Sequence, residues 1–259
     1  MQAVFRKLSR HFRRTSKSAE RLRLHAPVWP AAVYAIGDVH GCYDELRELE
    51  RQIADKASTV DGEKWIVMLG DYVDKGPMSA AVLEHLLMPP LPGFKRYCLA
   101  GNHEIMMLNF LGRPRLSSQW LRYGGLATLQ AYGLDLQELS GLSGADLKSE
   151  LATHIPIRHV AFLHALPTLL SVPGVVFVHA GIRPGVTLEQ QKDEDLLWIR
   201  EPFLSAQDLG GVFVIHGHTP EMEPATMRHR IGLDTGVFET GRLTAAAFID
   251  GHLTEFLHT

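Results

Sequence analysis

Short apolar runs that end in glycine-flanked polar loops constrain this chain more than any other feature of its sequence. The first run, residues 31–36, leads into Gly37-Asp38-Val39-His40-Gly41, and a stretch with helical spacing of apolar residues follows at 43–55. A run this short is typical of a buried strand, and the glycines allow the chain to turn sharply. Asp38 and His40 are therefore predicted to lie on the loop that leaves a strand, where a carboxylate and an imidazole can share one cation.

The same arrangement recurs along the chain. Apolar runs at 65–69, 97–100, 175–178 and 212–215 each lead into a polar loop. These loops contain Gly70-Asp71-Tyr72-Val73-Asp74-Lys75, Gly101-Asn102-His103-Glu104, His179-Ala180-Gly181 and His216-Gly217-His218-Thr219. Strands that alternate with polar loops and helices predict an α/β fold, and open α/β sheets place their sites at the carboxyl ends of strands. We expect the five loops to form one site.

The side chains on these loops indicate a metal centre. They offer carboxylate, amide and imidazole ligands and no thiolate, which disfavours a structural zinc site. Such ligands suit manganese, iron or zinc, and among these we expect manganese. The ligands exceed what one ion with open positions needs, so we predict two divalent ions that share a carboxylate and can clamp a phosphoryl group. The candidate residues are Asp38, His40, Asp71, Asp74, Asn102, His103, His179, His216 and His218.

Residues 105–170 have a different character from the segments around them. Their pattern is mostly helical, with a last helix predicted at 159–170, and they contain no cluster with metal-ligand spacing. We interpret this segment as a helical cap over one edge of the site. Trp198, outside the cap, is predicted to lie in the core.

Together the five loops resemble the motifs of the phosphoprotein phosphatase (PPP) branch of the calcineurin-like metallophosphoesterases. The resemblance covers roughly residues 31–250. It is greatest to short bacterial serine/threonine protein phosphatases and to symmetrical diadenosine tetraphosphate hydrolases. It implies a β-sandwich of two mixed sheets flanked by helices in four layers (αββα), with the cap added. We therefore expect residues 26–259 to form the metallophosphoesterase domain.

The resemblance also implies roles for single residues. Asp38 and His40 would hold the first metal, Asp71 would bridge both, and Asn102, His179 and His218 would hold the second. His103 would be the general acid, oriented by Asp74, and a hydroxide bridging the metals would attack phosphorus in line. The implied phosphate-binding residues are Arg200, Lys75 and Asn102. His216 and Asp234 are expected to contact the metal-ligating side chains and not the metals themselves. The family usually has arginine where this chain has Lys75 and Ala100. We therefore expect the site to bind phosphate more weakly and to depend more on Arg200 for that binding.

Charge and composition bear on location and partners. Residues 1–25 carry eight basic side chains and one acidic one, whereas the whole chain has a formal net charge of −3. We therefore predict a basic tail at 1–25, either solvated or in contact with an anionic surface, on an acidic body that argues against a nucleic-acid groove. Two cysteines, no secretory h-region and no apolar run of about 20 residues favour a cytoplasmic protein.

The sequence leaves the substrate open. We favour a protein-serine/threonine phosphatase, a phosphoric monoester hydrolase, because the chain is short and matches the bacterial phosphatases. The alternative is hydrolysis of dinucleoside polyphosphates, which needs base-stacking aromatics and phosphate-binding cations in the cap. A non-enzymatic scaffold is disfavoured because every implied ligand is present. The cap residues that supply such aromatics and cations, and so support the nucleotide alternative, are Arg113, Arg115, Trp120, Arg122 and Tyr123.

Overall fold

A computed structural model of the protein describes residues 20–142 and 144–259, whose strands form two sheets. In the five-stranded sheet the order is β11-β10-β2-β3-β4, and in the six-stranded sheet it is β1-β5-β6-β7-β9-β8. The strands are β1 (Arg23–His25), β2 (Ala32–Ile36), β3 (Lys64–Met68), β4 (Phe94–Cys98), β5 (Leu169–Val172), β6 (Val175–Val178), β7 (Phe213–His216), β8 (Ala225–Thr226), β9 (Arg230–Gly232), β10 (Thr244–Ile249) and β11 (His252–His258). The helices are α1 (Tyr43–Lys56), α2 (Ser79–Leu87), α3 (Asn102–Gly112), α4 (Leu126–Ala131), α5 (Leu136–Leu139), α6 (Gly144–His154), α7 (Ile157–Ala165), α8 (Asp193–Trp198) and α9 (Val237–Thr240).

Strands β2, β3 and β4 are parallel, with α1 and α2 as their crossover helices. Their carboxyl ends therefore lie at one edge of the sheet, as the predicted strand–loop–helix repeats require. The sequence predicts the third strand at 97–100, whereas β4 spans Phe94–Cys98. Because β4 is an edge strand with partly exposed side chains, its first residues do not form the apolar run on which the prediction depended.

The alternation of side chains along β2 shows how the layers pack. Val33 and Ala35 point toward the other sheet and belong to a core shared with Phe177 and Ile215. Residues 32, 34 and 36 point the opposite way and pack in the core that contains α1 and α2. Since both faces of β2 are covered, all five of its residues are buried.

The outer face of the six-stranded sheet is also covered. Val176 and Val214 pack there against Leu196 of α8 and against Phe203 in the loop that follows. The order of layers is thus helix, sheet, sheet, helix, and the predicted αββα sandwich of two mixed sheets is confirmed.

Helices α3 to α7 cover most of the segment that we interpret as a helical cap. It is joined to the body through an extension of the core that lies beneath α1 and α2. The predicted last helix, 159–170, is too long, because α7 ends at Ala165 and β5 begins at Leu169. Pro167 accounts for the difference, since a proline disfavours the helical conformation of the residue before it.

The amino-terminal part of the described chain belongs to the sandwich. Strand β1 pairs in parallel with β5, and the Arg21 guanidinium donates to the carbonyl oxygens of Leu163 and Leu166, both at 2.9 Å. The predicted boundary of the basic tail at residue 25 is therefore too late. Residues 1–19, on which the prediction of an anionic partner mainly rests, lie outside the described residues. Within the part of the chain that the structure describes, no helix has the length and apolar character needed to cross a membrane.

Candidate metal centre

The five predicted loops converge where the carboxyl ends of strands from both sheets meet. The N–H of Gly217 donates to the carbonyl of His179 at 2.8 Å, and His179 Nδ1–H donates to the carbonyl of Leu69 at 2.9 Å. These two bonds connect loops of the six-stranded sheet to each other and to a loop of the five-stranded sheet. The prediction that the loops come together is therefore met directly for these three loops.

Backbone strain is concentrated in the same loops. Among the described residues, six that are not glycine have positive φ, and five of them lie here. A left-handed conformation costs a non-glycine residue about 1–2 kcal/mol, so such strain usually marks a functional site. The five residues are His40, Asp71, Asp74, Lys75 and His218, with φ between 43° and 74°.

Asp71 lies at the middle of the cluster. Its Oδ2 is 3.5 Å from His40 Nε2 and 3.8 Å from His103 Nε2, and its Oδ1 is 3.4 Å from His179 Nε2. Two groups with metal-ligand geometry result, one formed by His40, Asp71 and His103 and the other by Asp71, His179 and His218. Both groups share Asp71, the arrangement that a bridging carboxylate requires.

The histidine tautomers determine what these contacts can bind. His40 Nδ1–H donates to the carbonyl of Val73 at 2.9 Å, and His179 Nδ1–H makes the equivalent bond to Leu69. Each Nε2 therefore carries a lone pair that faces a carboxylate oxygen of Asp71. Burial lowers the pKa of His40 to about 3, so protonation does not relieve this contact near neutral pH. Lone pairs that face one another in a buried site favour a cation between them, which at His40 can be a metal ion or the Lys75 ammonium, 2.9 Å from Nε2.

Asn102 and Asp38 complete the predicted ligand set. The Asn102 Oδ1 atom is 2.8 Å from His179 Nε2 and 3.0 Å from His218 Nδ1. The carboxylate of Asp38 accepts the backbone N–H of His218 at 3.1 Å. All six residues of the predicted ligand set thus lie in the same region, but Asp38, predicted to hold the first metal with His40, belongs to neither of the two groups named above.

The charges of the site also fit divalent cations. Asp38, Asp71 and Asp234 are buried near one another, and burial together with the other two carboxylates raises the pKa of Asp38 well above its usual value. Burial alone would also raise the pKa of Asp71, but His179 and the other surrounding histidines hold it below its usual range. Three buried carboxyl groups beside several imidazoles form a donor set of oxygen and nitrogen that suits two such ions.

His103 differs from the other histidines in its hydrogen-bond partner. Its Nδ1–H donates to Asp74 Oδ2 at 2.7 Å, rather than to a backbone carbonyl. Burial alone would lower the pKa of His103, but Asp71 and the bond to Asp74 outweigh it and raise that pKa. The His103 imidazole is therefore suited to hold a proton at Nε2, which faces the centre. Its place in one of the two groups with metal-ligand geometry does not by itself make His103 a metal ligand.

Two residues of the cap hydrogen-bond to Asp74, the carboxylate that holds the His103 imidazole. Trp120 Nε1–H donates to Asp74 Oδ2 at 2.7 Å, and the Thr128 hydroxyl donates to Asp74 Oδ1 at 2.6 Å. The Asp74 side chain is fully buried as a result. The sequence offers Trp120 as an exposed base-stacking residue, but the structure buries it as a hydrogen-bond donor instead.

Glu104 is a residue of the site to which sequence reasoning gave no role. Its carboxylate accepts the backbone N–H groups of Asp71, Tyr72 and Gly101 at 2.8–2.9 Å. It thereby joins two ligand-bearing loops, and burial beside Asp71 raises its pKa to about 7. A glutamate three residues after the N-cap Gly101 is a signal from which this role could have been predicted.

Two glycines allow the loops to approach the carboxylates. A Cβ on Gly217 would lie 2.0 Å from Asp38 Oδ1, and one on Gly101 would lie 2.1 Å from Asp71 Oδ1. No side chain fits at either position without moving a predicted ligand.

A groove of about 980 Å³ opens over the centre. Arg113 and Arg115 from the cap line it together with Arg200, and so do two exposed aromatic residues, Tyr123 and Trp198. Trp198 is 43% exposed and does not lie in the core, because it ends α8 at the rim of the groove. Arg122 is exposed but is not among the lining residues.

Lys75 and the two predicted supporting residues have definite partners. Lys75 lines the groove, but its Nζ lies 2.9 Å from His40 Nε2 and 5.1 Å from the centre of the Phe238 ring. Lys75 and a metal ion are thus alternative partners of that nitrogen. Asp234 lines the groove and accepts the N–H of Gly236 at 3.0 Å. His216 faces away from the centre, with Nε2 3.2 Å from the Arg230 guanidinium.

Comparison with known proteins places this geometry in a family. The calcineurin-like phosphoesterase family matches residues 31–234. The chain is 29% identical over 233 residues to a Bacillus subtilis protein and 26% identical over 233 residues to one from Oceanobacillus iheyensis. Both are named asymmetrical bis(5'-nucleosyl)-tetraphosphatase PrpE. Each alignment covers 82% of this chain, with 89% of the first relative and 87% of the second.

Solved structures share the fold. The crystal structure of a candidate diadenosine tetraphosphatase aligns with a TM-score of 0.64 at 24% identity, over 91% of this chain and 96% of the other. A cold-active protein tyrosine phosphatase from a psychrophilic Shewanella species aligns with a TM-score of 0.57 at 18% identity, over 94% and 85%. At such identities the likeness bears on the fold alone.

Proposed function

The chain belongs to the calcineurin-like phosphoesterase family, and from this premise we propose that it hydrolyses dinucleoside polyphosphates with two divalent metal ions. A phosphoester hydrolase of this family uses divalent ions, and manganese is our proposal for the metal. The relatives named above are asymmetrical tetraphosphatases, whereas the sequence motifs resemble the symmetrical hydrolases. We therefore place the nucleotide substrate ahead of the phosphoprotein that the sequence alone favours.

The observation that carries the proposal is the lining of the groove. A phosphate monoester needs little more than the centre and one clamping cation, which Arg200 supplies. This groove adds Arg113 and Arg115, and neither guanidinium has an ion-pair or hydrogen-bond partner among the described residues. Guanidinium groups bind phosphate oxygens in parallel pairs, so the extra cations suit a chain of phosphates. Exposed Tyr123 and Trp198 offer surfaces on which bases can stack.

The side chains of the centre have separate tasks in this proposal. Asp38 and His40 would hold one metal, Asn102, His179 and His218 the other, and Asp71 both. When bound, the two ions would supply charge neutralisation for the phosphoryl group and acidify water. His103 would give the proton on Nε2 to the leaving oxygen, while Asp74 keeps the imidazole charged and in place. Arg200 would orient the phosphoryl group so that attack on phosphorus comes from the side opposite the leaving oxygen.

A serine/threonine phosphoprotein remains the second candidate substrate. It is supported by the same motifs and by the open groove, which admits a peptide. A phosphopeptide would leave the cap arginines without phosphate partners, since it carries one phosphoryl group. The two substrates therefore differ in how much of the groove they use.

A direct comparison of substrates tests the proposal. The full chain, loaded with Mn²⁺, is given diadenosine tetraphosphate and a phosphothreonine peptide, and kcat/KM is measured for each. We expect at least about a tenfold preference for the dinucleotide, the effect of one good charge-assisted hydrogen bond. The Asp71→Asn variant should lose both activities and serves as the control for contaminating enzymes. A preference for the peptide would overturn the proposal.

A further inference from the structure

The two walls of the groove carry unequal positive charge. The cap wall consists of Arg113, Arg115 and Tyr123, and the opposite wall of Trp198 and Arg200. In the described part of the chain these three arginine side chains have neither a hydrogen bond nor a salt bridge to a protein group. The cap wall therefore offers two available guanidinium groups and the opposite wall offers one.

The cap wall lies on the side of the candidate proton donor. Trp120, between the cap arginines and Tyr123 in the chain, donates to Asp74, and Asp74 in turn holds His103. Next to Tyr123, the carbonyl of Gly124 accepts the backbone N–H of Lys75 at 3.2 Å. Residues of the cap thus contact the Asp74–Lys75 loop directly.

The opposite wall lies on the other side of Asp71. The Trp198 ring packs edge-to-face on His218, with 6.4 Å between ring centres. His218 and His179 form one group with Asp71, and His179 lies nearest Oδ1 of that carboxylate. His103 and His40 lie on its other side, where they face Oδ2. Asp71 therefore separates the wall that carries two arginines from the wall that carries one.

We propose that this difference in charge determines which phosphorus is attacked. The leaving group must lie beside the proton donor, so it lies against the cap wall, where two arginines and Lys75 can bind three phosphates. The nucleoside with a single phosphate lies against Trp198 and Arg200. The assignment of sides rests on the proposed function. Unequal products are what the name asymmetrical tetraphosphatase already describes for the relatives. The inference goes beyond that name because it assigns a wall of the groove to each product and names the side chains that set the choice.

The predicted reaction needs water as its only co-reactant. The oxygen of water bonds to the phosphorus of the terminal nucleotide, and the bond from that phosphorus to the bridging oxygen breaks. The proton of His103 goes to the bridging oxygen, which leaves as a nucleoside triphosphate. The proton lost by water passes to solvent, and His103 takes up a proton from solvent before the next turnover. The products are one nucleoside monophosphate and one nucleoside triphosphate.

Isotope labelling tests the choice of phosphorus. Diadenosine tetraphosphate is hydrolysed in ¹⁸O-labelled water, and the products are analysed by mass spectrometry. We expect AMP and ATP, with the heavy oxygen in AMP alone. Label in ATP, or two molecules of ADP, would overturn this inference and leave the proposed function standing. An absence of nucleotide products would overturn both.

Variants of the two walls test the assignment through product inhibition. Arg113→Ala/Arg115→Ala should weaken inhibition by ATP at least about tenfold and leave inhibition by AMP within about twofold, because each lost guanidinium removes charge-assisted bonds to phosphate. Trp198→Ala should weaken inhibition by AMP and spare that by ATP, and Trp198→Phe should restore it. Arg122→Ala, an exposed cap arginine off the groove, is the matched control and should change neither. Equal effects on both products would contradict the assignment.

Discussion

Trp120 connects the helical cap to Asp74, the carboxylate that holds the candidate proton donor His103, through one hydrogen bond. In Trp120→Phe, Asp74 loses the indole N–H while the ring remains packed on Phe110, whose centre is 4.7 Å away. A hydrogen bond to a charged group contributes about 1.5–3 kcal/mol, so we expect kcat to fall about tenfold or more for poor leaving groups. With p-nitrophenyl phosphate, whose leaving group needs no proton, kcat should change little.

The matched control for this prediction is Phe110→Leu. It disturbs the same aromatic contact without removing a donor to Asp74, so kcat for the two classes of leaving group should change in parallel. Equal losses in Trp120→Phe as well would mean that the indole only fills space.

Gly217 has a role that only the surrounding loops reveal. The Cβ of Gly217→Ala would meet Asp38 Oδ1 at 2.0 Å and force that carboxylate to move. Displacing a ligand or its support commonly costs about 10- to 100-fold in metal affinity. We expect such a loss for Mn²⁺ by titration calorimetry, with an unchanged circular dichroism spectrum. Gly112→Ala, where a Cβ meets open space, should bind Mn²⁺ normally; if it too bound weakly, the steric explanation would fail.

At the scale of whole elements, the success of prediction depended on local signals. Loops such as 37–41 could be predicted because a short apolar run ends abruptly in polar residues and glycine. The edge strand β4 has no such run, and the end of α7 depends on Pro167 within an otherwise helical pattern. The exposure of Trp198 and the burial of Trp120 depend on how separate elements meet. Neither could be inferred from neighbouring residues.

Glu50 joins three elements beneath the sheet. This buried carboxylate of α1 accepts from Arg96 of β4 at 2.9 Å and contacts His85 Nε2 of α2 at 2.7 Å. Breaking a buried pair by removing one charge typically costs about 3–5 kcal/mol. We therefore expect Glu50→Gln to lower the free energy of unfolding by about 3 kcal/mol at pH 7, as measured by urea denaturation.

The same pair predicts a pH dependence. Burial alone would raise the pKa of Glu50, but His85 and Arg96 outweigh it and lower that pKa. A carboxylate with a lowered folded-state pKa stabilises the protein above its unfolded-state pKa of about 4.3. The gap between wild type and Glu50→Gln should therefore be largest above that pH and shrink as the pH falls through the folded-state value. Exposed Glu48→Gln on the same helix should leave the urea midpoint unchanged, and a gap that widened in acid would contradict the prediction.

At the scale of the whole molecule, the amino-terminal strand extends the sandwich past the boundary that charge alone suggested. Strand β1 covers the edge of β5 over three residue pairs, and Leu24 packs on the core between the sheets. Arg21 adds bonds from its guanidinium to the end of α7, and its N–H donates to Asp193 at 2.8 Å. The basic residues at 21 and 23 are thus structural, and a count of charges could not separate them from those that precede them.

Two truncations test this assignment, because they differ only in residues 20–25. Removing 1–25 deletes β1 and Arg21, whereas removing 1–19 retains both. We expect the shorter protein to melt about 4–12 °C below the other, since the lost bonds and buried surface amount to about 2–3 kcal/mol and each kcal/mol shifts Tm by about 2–4 °C at this size. Among the described residues, no predicted metal ligand belongs to β1 or hydrogen-bonds to it, so Mn²⁺ affinity below the melting range should match between the two. Equal melting temperatures would show that β1 adds nothing to the sandwich.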